Sequence, residues 1–268
     1  MHRVSDQVAH DDEPLTGGRF AAPVRRGQVV LRRSTSATAN TAALLQHLEQ
    51  AGFEQAPRHL GFASDGREKL SFIKGDSALP PYVEAVRGDE ALVNVARTIR
   101  RFHDAAQSFV APEPWRSSTL SAAGPTEIDC IGHGDLTPWN MIFRGPTVAA
   151  IIDWDTAGPS NRAWDLSYAA CQFVPLHPPS TLHFWGWDNP PDQADRLARF
   201  VDAYGDPSIS AAQLLDLMII RLVGFAAHME HQIRLGNPAF DVHRDERHAW
   251  GCRTTASYLI EHRDQLMG

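Results

Sequence analysis

Apolar and polar positions change rhythm along the chain. Up to residue 77 the pattern is short and strand-like. Val24–Arg26 and Val29–Leu31 flank Gly27, and His59–Phe62 and Lys69–Ile73 flank the turn signal Asp65-Gly66. One helix interrupts them over 40–51, where Ala43, Leu44, Leu48 and Ala51 recur at helical spacing before Gly52 stops it. Beyond Pro80-Pro81 the period lengthens: Leu92, Val95, Ala96, Ile99, Phe102 and His103 line one helix face. Short strands are expected at 128–132, 140–143 and 148–152, then helices over 163–173, 192–204, 210–235 and 246–265. The third of these is apolar nearly all round, from Leu214 to Phe225, and reads as a buried spine. The Pro- and Trp-rich stretch 174–191 reads as a long loop, and no internal repeat is visible.

Composition narrows the class. A chain of 268 residues with 43% hydrophobic positions can bury a substantial core, which excludes disorder. Its net charge of −7 and pI near 6.0 argue against a nucleic-acid partner. The acid excess is confined to the back: residues 1–77 hold ten Lys/Arg against nine Asp/Glu, the remainder fifteen against twenty-three. Such asymmetry suits an anion handled by one part and a cation by the other, and equally suits acidic helices facing water. Three cysteines without C-x-x-C spacing fit neither a disulfide scaffold nor structural zinc. No apolar core marks the first fourteen residues as a signal peptide. The apolar run 214–227 is short and carries Asp216 and Arg221, so no membrane span is expected. A cytoplasmic location follows as the expectation. Of the basic residues only Lys69 and Lys74 are lysine, so a mechanism that needs a lysine has two candidates.

Chemistry concentrates between Ile131 and Asp165. His133-Gly134-Asp135-Leu136-Thr137-Pro138-Trp139-Asn140 puts a carboxylate and an amide on one short loop after a strand. Asp153 follows the apolar run Val148–Ile152 and so emerges at a strand end, with Asp155 beside it. Two acids and an amide converging there can hold a hard cation such as Mg²⁺ and leave one carboxylate as a base. The order H-x-D-L-x-x-x-N, with a second Asp 18 residues after Asp135, matches the protein-kinase catalytic signature, Gly134 replacing its arginine.

With these residues in view, the chain resembles the aminoglycoside phosphotransferase family, relatives of choline and homoserine kinases. Gly158-Pro159 and Trp164-Asp165-Leu166-Ser167-Tyr168 are similar to the segment after that family's metal aspartate. Leu70–Gly75 is similar to its hinge, and Ile99–His103 to the end of its first large-lobe helix. The likeness spans roughly residues 15–205 and is specific at 131–168.

The resemblance implies an α+β, two-lobed protein-kinase-like fold. A flexible 1–14 would precede an antiparallel-sheet nucleotide lobe over 15–77 and a mainly helical catalytic and substrate-binding lobe over 78–268. It implies Asp135 as catalytic base, His133 as organiser of its loop, and Asn140 and Asp153 as Mg²⁺ ligands. Gly17 and Gly18 would cover the phosphates, and Ser71, Phe72 and Ile73 would offer backbone groups to the base of ATP, with GTP as the alternative. Asp165 would brace the loop, a plain helix cap being an equal reading. Asp155 reads equally as metal-sphere carboxylate or structural acid. The family's third-strand lysine is missing, so Arg32 takes its place by register, with Arg33 as second choice. No glutamate partner is evident for it, since the expected position falls near Thr41. The implied activity is phosphorylation of a small hydroxylated molecule. Asp188, Asp192, Asp195, Asp202 and Asp206 would favour a cationic acceptor such as an aminoglycoside or amino alcohol. Choline, homoserine or a sugar as acceptor, and a degenerate nucleotide-binding regulator, are the alternatives.

Overall fold

The computed structural model describes residues 12–15, 23–115 and 122–268. The front of the chain forms an antiparallel sheet of β1 (Glu13–Pro14), β2 (Val24–Arg26), β3 (Val29–Arg32), β4 (His59–Phe62) and β5 (Glu68–Ser71). Their spatial order is β1-β2-β3-β5-β4. Gly27 makes the β2–β3 turn at φ +64°, a left-handed conformation that glycine adopts without strain. Between β3 and β4 lies α1 (Thr38–Gln50), whose Leu44, Leu45 and Leu48 are buried.

The back begins with β6 (Asp76–Ser77), α2 (Glu84–Arg87) and α3 (Asp89–Ala106). Leu92, Val95, Ala96, Ile99 and Phe102 of α3 are buried, as their spacing requires, and Asp89 and Glu90 oppose the helix dipole in its first turn. Next come β7 (Cys130–Gly132), β8 (Met141–Arg144), β9 (Thr147–Ile151) and β10 (Gly158–Ser160). β7 pairs with β10, while β8 pairs with β9 on one side and β6 on the other. The helices α4 (Arg162–Phe173), α5 (Pro179–Leu182), α6 (Gln193–Tyr204), α7 (Ala211–Arg234), α8 (Asp241–Asp245), α9 (His248–Glu261) and α10 (Arg263–Met267) complete the chain. The fold is therefore α+β, a small antiparallel sheet followed by a mainly helical region.

Three expectations need correction. The stretch 174–191 is not a plain loop: Pro179 opens α5, and a 3-10 turn over His183–Trp185 follows. Trp185 stacks on Tyr82, Trp139 and His177, so apolar packing orders a segment whose composition signals a loop. The helix expected over 246–265 is two, because Arg247 adopts φ +55° just before α9 and His262 separates α9 from α10. α7 is a spine on one side only, with Ile220 and Val223 exposed. α7 is 24 residues long and contains an 18-residue stretch of mean hydropathy 1.4, enough by length and composition to cross a membrane. Its Leu214, Leu215, Met218 and Leu222 nevertheless belong to the shared core.

Candidate active site

The loop 133–140 is held rigid from below. Asp165, fully buried in the first turn of α4, accepts hydrogen bonds from the His133 and Gly134 backbone N–H groups, both at 2.8 Å. His103 of α3 meets the same carboxylate at 3.1 Å, and its other ring nitrogen lies 2.8 Å from the Tyr204 hydroxyl. Burial alone would raise the Asp165 pKa, but His103, Arg221 and His133 overcome it and hold it down at about 2. Asp165 therefore braces the loop; the cap of α4 is Asn161, whose side chain accepts from Trp164 N.

His133 points inward. Its Nε2 donates to the Ile152 carbonyl at 3.0 Å, and Nδ1 accepts from the Asp135 N–H at 3.3 Å, which fits a neutral ring. Burial lowers its pKa to about 4. It ties the loop to the strand end that carries Asp153 and does not face the cleft.

Asp135 is half-buried, with Oδ2 accepting from Asn140 Nδ2 at 2.8 Å; the same amide donates to the Asp135 carbonyl at 3.0 Å. Burial and the nearby Asp153 raise the Asp135 pKa to about 6, against the pull of Arg221 and Asn140. A carboxylate poised there can take a proton near neutrality. Asp153 sits at φ +63° two residues after the end of β9, and its side chain is 38% exposed. Burial and Asp155 raise its pKa, while Arg32 opposes them.

Mg²⁺ fits this donor set. Asn140 uses its NH₂ on Asp135, which leaves its amide oxygen as a donor, and Asp153 is an accessible carboxylate crowded by a second one. Among the described residues no cluster of three or more His, Cys, Asp or Glu could hold a metal. Magnesium suits such a site because it is held by one or two protein oxygens together with phosphates and water. Asn140 and Asp153 are the residues that would hold it.

The front sheet completes the cleft. Arg32 is buried on β3; its Nε donates to Glu68 at 2.6 Å, and its NH1 lies 2.9 Å from Asp155 and 3.9 Å from Asp153. Arg33 is exposed, so of the two it is Arg32 that lies beside Asp153 and Asp155. The expectation that no glutamate partners it is corrected: Glu68 does so from the next strand, while Glu49 pairs with Arg58 at the surface. Ser71 and Phe72 already donate their N–H groups to Arg58 and Gln28 carbonyls. A base at the hinge would therefore meet Ile73 and its neighbours rather than those two donors. Gly17 and Gly18 lie outside the described residues.

Sequence reading missed Arg221 of α7. Its guanidinium is buried, donates to the Gly134 and Trp164 carbonyls, and lies over the Tyr168 ring at 4.7 Å. The signal was available: an arginine inside the apolar run 214–227 needs buried partners. Four of the five acids expected to attract a cation have local partners. Asp192 caps α6, Asp195 pairs with Arg199, Asp206 accepts from Ser208, and Asp188 lies 3.3 Å from His183.

The buried groups set an acid limit on stability. His133 and His177 have pKa values lowered by burial from 6.5 to about 4, so unfolding takes up protons between those values and stability falls as pH drops. Asp135 has the opposite sign: raised from 3.8 to about 6, it holds an extra proton when folded and gains stability as pH drops. Between pH 7.5 and 5.5 the histidines together cost about 3 kcal/mol and Asp135 returns about 1, a net loss of about 2 kcal/mol. Thermal melts at the two pH values should show a lower midpoint at 5.5, and His177→Gln should narrow the gap. An equal or higher midpoint at 5.5 would contradict this account.

Comparison with known proteins places the chain in a family and a fold. The description of the phosphotransferase enzyme family, APH, matches residues 118–214. The trifolitoxin immunity protein of Rhizobium leguminosarum bv. trifolii is 32% identical over 262 residues, spanning 96% of this chain and 98% of that protein. A choline/ethanolamine kinase family protein from Mesorhizobium loti has the same fold, with TM-score 0.65 at 17% identity over 98% of this chain and 94% of that one. The GDP complex of aminoglycoside 2'-phosphotransferase-IIIa gives TM-score 0.56 at 14% identity, covering 94% of each chain. The fold is thus that of protein-kinase-like phosphotransferases. The chain belongs to the phosphotransferase enzyme family.

Proposed function

We propose that the protein transfers the γ-phosphoryl group of Mg-ATP, or of GTP, to a hydroxyl of a small molecule in the cytoplasm. Residues 15–77 would hold the nucleotide, with Gly17 and Gly18 over its phosphates and the Ser71–Ile73 hinge, through groups other than the Ser71 and Phe72 N–H, at its base. Residues 78–268 would carry catalysis and the acceptor. The observation that carries the reading is Asp135, half-buried, fixed by Asn140, and set on a loop braced by Asp165. The acceptor hydroxyl gives its proton to Asp135 as its oxygen bonds to the γ-phosphorus. The bond from that phosphorus to the β-bridging oxygen breaks, and the nucleoside diphosphate leaves with those electrons. Magnesium on Asn140 and Asp153 would neutralise the charge that builds on the phosphates. Arg32 would grip the α- and β-phosphates.

A neighbour in fold holds GDP, which supports a nucleotide in this cleft. The immunity role in the relative's name favours an acceptor that is itself toxic. The deciding experiment is Mg²⁺-dependent ADP release across aminoglycosides, choline, ethanolamine, homoserine and sugars, with ATP and GTP as donors. Release stimulated by one acceptor class supports the reading. Nucleotide binding with transfer to no acceptor would favour the regulatory alternative.

A further inference from the structure

The arginine at the phosphate-gripping position is held by a strand and not by a helix. Arg32 and Glu68 are direct partners in the β3–β5 ladder, and both are buried, at 5% and 0% exposure. Nε donates to Glu68 Oε2 at 2.6 Å, while the other carboxylate oxygen lies 3.7 Å from His59 Nε2. Helix α1 supplies nothing comparable. Its one acid, Glu49, pairs with Arg58, and the Thr41 hydroxyl turns back onto the Ala37 and Thr38 carbonyls. A carboxylate buried this completely is tolerated only with a paired cation, so Glu68 and Arg32 require each other. A guanidinium is a planar fork: pinning Nε fixes where the remaining N–H groups point. Here that edge reaches Asp155 at 2.9 Å and stands 3.9 Å from Asp153, on the turn that would hold the metal.

We infer that Glu68 is a positioning residue for the nucleotide phosphates. It sets Arg32 by strand register, so the grip on a nucleoside di- or triphosphate is built into the sheet and independent of where α1 sits. This rests on the nucleotide-dependent reading given above. It goes beyond that reading by assigning a role to a residue outside the catalytic motif.

The test is displacement of a fluorescent ATP analogue by ATP, ADP and adenosine, with Mg²⁺, in wild type, Glu68→Gln, Arg32→Gln and the double variant. Glu68→Gln should weaken ATP and ADP by about tenfold, as expected for a lost charge-assisted contact, and leave adenosine unchanged. On the Arg32→Gln background the same change should add less than about twofold, because the two act as a unit. Unchanged or tighter ATP binding by Glu68→Gln would overturn the inference, as would equal weakening of adenosine. If Glu68→Gln alone does not fold, the double variant carries the test, since it leaves no lone buried charge. It should lose the same tenfold for ATP and keep adenosine, and wild-type ATP affinity would overturn the inference. A wild-type protein that binds no analogue would instead overturn the nucleotide reading itself.

Discussion

Asp135→Asn should lower transfer by at least about a thousandfold while leaving the nucleotide dissociation constant within about threefold of wild type. The substitution preserves shape, and the new amide oxygen can still accept from Asn140 Nδ2, which now meets the carboxylate at 2.8 Å. The loop should therefore stay in place, since its brace is Asp165 through the His133 and Gly134 N–H groups. What disappears is the proton acceptor. The effect belongs in kcat because the lost interaction operates only as the acceptor hydroxyl becomes a nucleophile. ADP release with the acceptor found in the panel measures it, beside displacement of the fluorescent analogue. Retention of a tenth of wild-type turnover would remove Asp135 from the role of base.

The second large effect is expected at Gly134, where protein kinases carry arginine. Gly134 adopts φ +83°, and a Cβ built there would lie 2.5 Å from the Thr156 carbonyl oxygen. Thr156 cannot easily retreat, because its hydroxyl donates to the His133 carbonyl at 2.8 Å. Gly134→Ala therefore combines left-handed backbone strain with overpacking, together about 3 kcal/mol. In a chain of this size that corresponds to a melting point lower by roughly 6–12 °C. Turnover should fall as well, since Asp135 is the next residue. Gly134→Arg should be worse, and the guanidinium of Arg221 already bonds the Gly134 carbonyl. An alanine variant that melts with wild type and turns over normally would show that the loop has slack the geometry denies it.

Arg221 and Gly134 explain each other. A kinase-type arginine within the catalytic signature requires space beside the loop, and this chain has filled that space with Thr156. Positive charge beside Asp135 and Asp165 comes instead from α7, 87 residues away in sequence. The acid excess of the back half has a similar outcome. Asp192, Asp195 and Asp206 are spent on a helix cap, an ion pair and a turn, all local devices that need no ligand.

Much of the site was legible because its chemistry is local. His133, Asp135, Asn140 and Asp153 lie within about twenty residues, and their spacing follows from one loop and one hairpin, so the motif alone brings them together. The strand register of β3 likewise singled out Arg32, since alternation along a strand sends neighbouring side chains to opposite faces. The brace at Asp165 was half-legible: a helix-start acid looks like a cap until the true cap, Asn161, is seen.

Other features could be read only in three dimensions. Glu68 partners Arg32 across 36 residues, through a ladder whose register no local pattern encodes. His103 and Tyr204, 101 residues apart, meet behind Asp165. The folded 174–191 segment depends on Trp185 finding Tyr82 and Trp139, contacts that override a composition rich in proline. The sequence by itself determined which groups are candidates for the chemistry, because in this chain they lie on one loop and one hairpin whose spacing fixes their geometry. Only the tertiary structure decided which groups hold them there. Buried charges are satisfied by whatever partner packing delivers, and packing is indifferent to distance along the chain.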